Sequence, residues 1–105
     1  MVIMSDQVGF KLRDTADMDV ILDVILEDNP AAVSARRPGG YFELDAPASI
    51  VVDLAKISAR LERPFNETDF MACIASFYGR ASAQDWTFRL TSDLLTVEDY
   101  GHERQ

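Results

Sequence analysis

The chain has one cysteine, Cys73, and one histidine, His102, among 105 residues. A structural zinc site takes about four Cys or His ligands and a ferredoxin-type cluster about four thiolates. Neither set is present, and a single cysteine closes no internal disulfide. Basic residues are scarce as well: 10 Lys and Arg face 18 Asp and Glu, for a formal charge of −8. Nucleic-acid binders displace counterions with a basic footprint, so composition argues against a nucleic-acid partner. No apolar run approaches the roughly 18 residues that span a bilayer. The opening Met1-Val2-Ile3-Met4-Ser5-Asp6 has neither a basic region nor a long apolar stretch, unlike a secretory leader. The expectation is a cytoplasmic protein that engages neither membrane nor nucleic acid.

What is present is an apolar fraction of 48%, enough for a folded core at this length without staples. Val8-Gly9-Phe10-Lys11-Leu12 alternates as a first strand. Asp14 or Thr15 is placed to cap a helix whose buried stripe is Met18, Ile21, Leu22 and Ile25, widened by Val20 and Val24. Pro30 ends that helix near Asn29. Val33 to Arg36 and Tyr41 to Leu44 read as a hairpin around Pro38-Gly39-Gly40. Pro47 breaks the return strand, and Ile50-Val51-Val52 forms a short one. Asp53 caps a second helix carrying Leu54, Ile57 and Leu61, ended by Pro64. Asn66 and Asp69 approach a capping box for a very short third helix, with Phe65 and Phe70 placed as a hydrophobic staple. Met71 to Tyr78 reads as a strand, Gly79 as a bend or bulge. Trp86, Phe88 and Leu90 alternate with polar residues as a half-buried strand. The fold class is α+β: one compact domain over residues 1–105 with short polar tails, its mixed or antiparallel strands packed on two main helices and one short one.

Candidates for chemistry are few. Cys73 lies in the apolar stretch Met71-Ala72-Cys73-Ile74-Ala75 with no adjacent charge, the setting of a small core residue rather than an activated thiol. His102 sits in a polar tail. Arg37-Pro38-Gly39-Gly40-Tyr41 matches no phosphate loop. An isomerase-like enzyme would need convergent titratable groups in a pocket, and the spacing shows no such grouping. Two charge stripes stand out: Asp19, Asp23 and Glu27 on the first helix, and Lys56, Arg60 and Arg63 on the second. They read either as solvated faces or as a surface that meets an oppositely charged partner. In the strand around Phe77, Phe70, Ala72, Ile74 and Tyr78 share one face and Met71, Cys73, Ala75 and Phe77 the other. Both are apolar, so the strand is buried on both sides or one face is an exposed patch for a partner.

Several segments, in order, carry a resemblance. Glu27-Asp28-Asn29-Pro30, Arg37 with Tyr41, Leu61-Glu62-Arg63-Pro64-Phe65-Asn66, Ala75-Ser76-Phe77-Tyr78-Gly79-Arg80-Ala81, Phe88 to Leu94 and Glu98-Asp99-Tyr100 resemble the coupling (effector) proteins of soluble diiron monooxygenases, the regulatory components of methane, toluene, phenol and alkene monooxygenases. The third segment is similar to the family's "LGRPFN", with Glu62 where Gly is usual. The fourth is similar to its "S-S/T-x-x-G-R" strand. The resemblance covers about Asp19 to Tyr100. Methane-type members have a long N-terminal tail, whereas this sequence starts almost at its first strand, so a role specific to that tail is expected to be absent or left to a few residues.

The resemblance implies a non-catalytic, cofactor-free protein. It would dock on a diiron hydroxylase over the helices that hold the metal centre, compete there with a reductase or ferredoxin, and couple electron use to hydrocarbon oxygenation. The docking residues it implies are Arg37, Tyr41, Met71, Cys73, Ala75, Ser76, Phe77, Gly79 and Arg80. Because relatives often carry a polar residue at the position of Cys73, it favours Met71, Cys73, Ala75 and Phe77 as the exposed face, with Tyr78 inward. The alternative is a generic acidic protein-binding module with an unrelated partner.

Overall fold

A computed structural model describes residues 6–92. The Glu98-Asp99-Tyr100 match, the end of the Phe88 to Leu94 segment and His102 lie outside them. Strand β1 (Gln7–Arg13) turns Val8, Phe10 and Leu12 inward and leaves Lys11 and Arg13 exposed, as period-2 alternation dictates. Helix α1 (Met18–Asp28) buries Met18, Ile21, Leu22, Val24 and Ile25. It begins a turn later than Asp14 or Thr15 would set, at Asp17, with no side-chain cap. Asp14 is engaged elsewhere: its carboxylate accepts from Arg36 at 2.6 Å.

Strands β2 (Val33–Arg37) and β3 (Tyr41–Pro47) form the hairpin, and β4 (Ser49–Asp53) leads into helix α2 (Leu54–Leu61). A short helix α3 (Glu67–Cys73) is followed by β5 (Ile74–Tyr78), β6 (Arg80–Gln84) and β7 (Thr87–Thr91). The strands make two sheets, ordered β2-β3-β1-β5 and β4-β7-β6, with every pairing among them antiparallel. The chain changes sheet three times: at two tight corners, and between β4 and β5 by way of α2 and α3. After Pro47 it crosses at Ala48, at φ 69°, and after Tyr78 at Gly79, at φ 122°. A Cβ on Gly79 would lie 2.9 Å from the Thr91 carbonyl oxygen, so only glycine takes this corner.

Between the sheets lies a core in which Phe10 of β1, Phe70 of α3 and Phe88 of β7 form a triangle. Ring centroids are 5.2 to 5.9 Å apart, and two of the three pairs meet edge-on, a geometry worth about 0.5–1.5 kcal/mol per pair beyond burial. The capping box is complete: Asn66 accepts from the Asp69 amide at 3.0 Å and Asp69 from the Asn66 amide at 2.9 Å. Phe65 and Phe70, on either side of it, are both buried.

Two motif residues acquire physical reasons. Asn29 ends α1 and copies a strand partner: its amide donates to the Ile25 and Val51 carbonyls, both at 2.7 Å, and accepts from the Val51 amide at 2.9 Å. It thereby fastens α1 to β4. Glu62 ends α2 in the left-handed region, at φ 59° and ψ 34°, the position that glycine fills without strain.

The two charge stripes meet each other. Arg60 makes a bidentate pair with Glu27 at 2.8 and 2.9 Å, Lys56 reaches Asp28 at 2.8 Å and Glu27 at 3.3 Å, and Arg63 pairs with Asp17. Of the two readings, solvated faces or a surface for a partner, neither describes Glu27, Lys56 and Arg60, which pair across the two helices. Asp19 and Asp23 remain on the outer face.

Two outcomes are expected. Glu62→Gly removes a left-handed L-residue and should stabilise the fold by up to about 1 kcal/mol, net of the added freedom of the unfolded chain, read as a higher urea midpoint at unchanged m. Glu27 is held down to about 2, chiefly by Arg60 and then by Lys56. Because its folded value is depressed, its contribution is full above the ordinary value of 4.5 and lost as pH falls toward about 2. An NMR titration of the Glu27 carboxyl should show this, and Arg60→Gln should move the midpoint upward.

Candidate functional site: a groove between two strand edges

Among the described residues β5 pairs only with β1, and β6 only with β7, so each leaves one edge unpaired there. The two edges flank an open apolar groove of about 630 Å³. Met71 of α3, Ala75 and Phe77 of β5 and Ala81 and Ala83 of β6 line it, with Ile74 and Phe88 reaching it from the core. Glu67 stands at the rim, and no Lys or Arg lines it. Met71 is 52% and Phe77 46% exposed. Phe77 also borders a second depression with Lys11, Asp45 and Tyr78, so it forms the ridge between the two.

The nine residues implied for docking separate. Met71, Ala75, Ser76 and Phe77 come together along the groove. Arg80 is exposed at the start of β6, and Gly79 is the crossing itself. Arg37 and Tyr41 sit across the four-stranded sheet: Arg37 on β2 is three strand spacings from β5, about 14 Å, and Tyr41 on β3 is two, about 10 Å. There Arg37 pairs with Glu43 at 2.8 Å and the Lys11 ammonium lies 5.1 Å from the centre of the Tyr41 ring.

Two assignments are corrected. Met71, Ala72 and Cys73 belong to α3, not to a strand, because the Asn66 capping box starts a helix that runs on to Cys73. Helical spacing turns Met71 out and Cys73 in. Cys73 is 7% exposed, its thiol pointing to the Asp69 carbonyl at 3.5 Å, and burial pushes its pKa up. It is a core residue, absent from any docking face. Arg13, which the sequence reading passed over, closes this helix: its guanidinium donates to the Ala72 and Ile74 carbonyls, both at 2.9 Å.

Tyr78 was expected to point inward; it is 50% exposed. Its ring lies across Gly9, its partner on β1, and its hydroxyl donates to Asp45 on β3. A Cβ on Gly9 would come within 2.6 Å of that ring and would collide with the Asp45 carboxylate. Glycine at position 9 thus makes room for an aromatic latch that ties β5 to the strand beyond its neighbour. The signal was present as a glycine inside a strand, a mark of close approach.

The model of the MmoB/DmpM family matches residues 6–91. The chain belongs to this family. The methane monooxygenase regulatory protein B of Methylococcus capsulatus is 32% identical over 91% of this chain and 74% of its own length. That of Methylosinus trichosporium is 26% identical over 90% of this chain and 71% of its own length. The solved structure of the soluble methane monooxygenase regulatory protein B superposes with a TM-score of 0.73 at 31% identity, over 93% of this chain and 73% of that one. A chain of a phenol hydroxylase–regulatory protein complex superposes at 0.75 and 21% identity, over 81% of this chain and 97% of that one, which shows a shared fold. The expected α+β class and the effector-family resemblance are both borne out. Among the described residues of this MmoB/DmpM member, no cluster of His, Cys, Asp and Glu could hold a metal, and no helix is long and apolar enough to cross a membrane.

The latch has a titratable signature. Burial, then the Asp45 hydrogen bond and charge, push the Tyr78 phenol up to about 12. Being raised, the neutral phenol's contribution is present below the ordinary value of 10 and lost as pH climbs through about 12. Phenolate absorbance of Tyr78 should emerge near 12, and Asp45→Asn should bring it down toward 10.

Proposed function

We propose that this chain is the cofactor-free effector of a soluble diiron monooxygenase: it docks on the hydroxylase, favours its active arrangement and couples electron use to hydrocarbon oxygenation. The observation that carries the reading is the half-exposed Phe77 standing beside an apolar groove with one acidic residue at its rim, in a member of the MmoB/DmpM family. An exposed apolar patch of this kind is a feature of interaction surfaces. Two relatives named as regulatory proteins of methane monooxygenase, and a shared fold with a chain from a phenol hydroxylase–regulatory protein complex, support a hydroxylase as partner.

The energetics ask little. An effector shifts a two-state equilibrium only by its differential affinity for the two states. A hundredfold gain in the active population takes about 2.7 kcal/mol. Burying one large apolar side chain is worth roughly 1.5–3 kcal/mol. Phe77 entering a site present only in the active arrangement supplies that amount. A protein seated over the metal helices would also exclude a reductase or ferredoxin from the same surface. The docking set on this reading is Met71, Ala75, Ser76, Phe77 and Arg80, with Gly79 setting the direction in which they project. Arg37 and Tyr41 belong to it only if the contact extends across the outer face of the four-stranded sheet.

Reconstitution tests the reading. The purified chain is added to hydroxylase and reductase, and product is measured against reductant consumed. The chain should raise product per electron. Phe77→Ala should keep the parent's Tm within a few degrees, because the side chain is half exposed, yet lower both stimulation and coupling. Stimulation by Phe77→Ala equal to the parent's would show that this strand does not drive the hydroxylase. No stimulation by the parent would favour an unrelated partner.

A further inference from the structure

Trp86 is the chain's only tryptophan. Alternation in the sequence put it in a half-buried strand with Phe88 and Leu90. The structure places it one step earlier, in the two-residue turn Asp85-Trp86 that joins β6 to β7, 52% exposed. Such hairpin turns need positive φ at both central residues and are usually filled by Asn-Gly, Asp-Gly or Gly-Gly. Here Asp85 stands at 53° and Trp86 at 62°. For a bulky aromatic this is a strained conformation. Strain of this kind persists where the surroundings enforce it, and it gathers at functional sites.

The fold makes little use of the indole. The turn is pinned through backbone, the Leu54 amide donating to the Trp86 carbonyl at 2.9 Å, a bond that any residue would make. No ring or cation among the described residues pairs with the side chain. It instead borders a depression of about 330 Å³ with Leu54, Glu67 and Ala83. Glu67 and Ala83 also line the groove beside Phe77, so the two surfaces are continuous. Glu67 and Asp85 edge this surface, and no ion pair among the described residues engages either.

We propose that Trp86 is a second aromatic anchor of the docking face, on the opposite sheet from Phe77, and that it enters an apolar site flanked by Lys or Arg side chains on the hydroxylase. This rests on the docking reading above. Tryptophan is the residue type most often found to dominate binding at interfaces. The acidic edge made by Glu67 and Asp85 selects basic neighbours around the site that receives it. Two anchors on different sheets fix the orientation of the docked protein, which one aromatic ridge does not.

The test separates stability from binding, because the two should move in opposite directions. Trp86→Gly gives the turn its preferred residue. It should hold or raise the Tm while weakening affinity for the purified diiron hydroxylase by about tenfold or more. Trp86→Phe should recover much of that affinity. With 5-fluorotryptophan in place of the single Trp, the fluorine resonance should shift and broaden when hydroxylase is added. A lower Tm for Trp86→Gly, an affinity within about twofold of the parent's, or an unmoved fluorine resonance overturns the proposal. If Phe77→Ala weakens binding and Trp86→Gly does not, the second anchor fails while the docking reading stands. If the parent chain does not bind, both fail.

Discussion

Three phenylalanines hold this molecule's parts in relation to one another. Phe10 belongs to the first sheet, Phe88 to the second and Phe70 to the short helix between them, and each ring touches the other two within 6 Å of centroid distance. A helix of seven residues does not persist alone in water. What keeps α3 helical is its capping box at one end, Arg13 at the other and Phe70 driven into the core. From there β5 follows directly, with no loop, so the position of Phe70 sets where the groove-lining strand starts and which way Met71 and Phe77 face.

The groove is a consequence of that arrangement. Both sheets end, on the same side, in a short strand with one edge unpaired among the described residues. Free edges invite indiscriminate pairing with other chains, and this chain limits the exposure in several ways. β5 and β6 are five residues each, the corner at Gly79 turns one away from the other's plane, and Arg80 puts a charge at the corner. The Tyr78 latch over Gly9 holds β5 to two strands in place of one. The register shift between Lys11 and Leu12 interrupts the ladder just where β5 begins, and Arg13 closes that gap by bonding the carbonyls on both sides of Cys73.

Much of this was legible in the residues. β1, the α1 stripe, the first hairpin, the Asn66-Asp69 capping box and the Phe65–Phe70 staple follow from local rules, since each signal lies within a few residues of its cause. The misreadings share a different origin. Met71 to Cys73 are strand-like by composition, but a helix once capped propagates residue by residue, and an arginine 59 residues away receives its end. Trp86 fits the alternation of β7 so well that it reads as strand, and the turn it occupies went unread because the usual sign, a glycine, is missing. Tyr78 was assigned by face, whereas its course is set by the absence of a side chain on Gly9, its partner on the neighbouring strand and 69 positions earlier in the chain. The charge stripes were each read correctly as stripes; that they face one another is a property of how α1 and α2 pack, which Asn29 fixes by gripping β4. Of the proposed site, Phe77 was legible as an apolar residue on an apolar strand, while Ala81 and Ala83, which form the far wall, carry no signal beyond small size.

Ala48, at the corner between β3 and β4, donates its amide to the Asp6 carbonyl at 2.7 Å and accepts from the Ser92 amide at 2.9 Å. The first and last of the described residues are therefore bonded to a single alanine, and the polypeptide between them is a nearly closed loop. A ring of this sort has no topologically privileged opening. Residue 92 joined to residue 6 by a brief linker, with the chain cut instead at the solvent-facing Gly39-Gly40 turn, leaves each strand of both sheets uninterrupted.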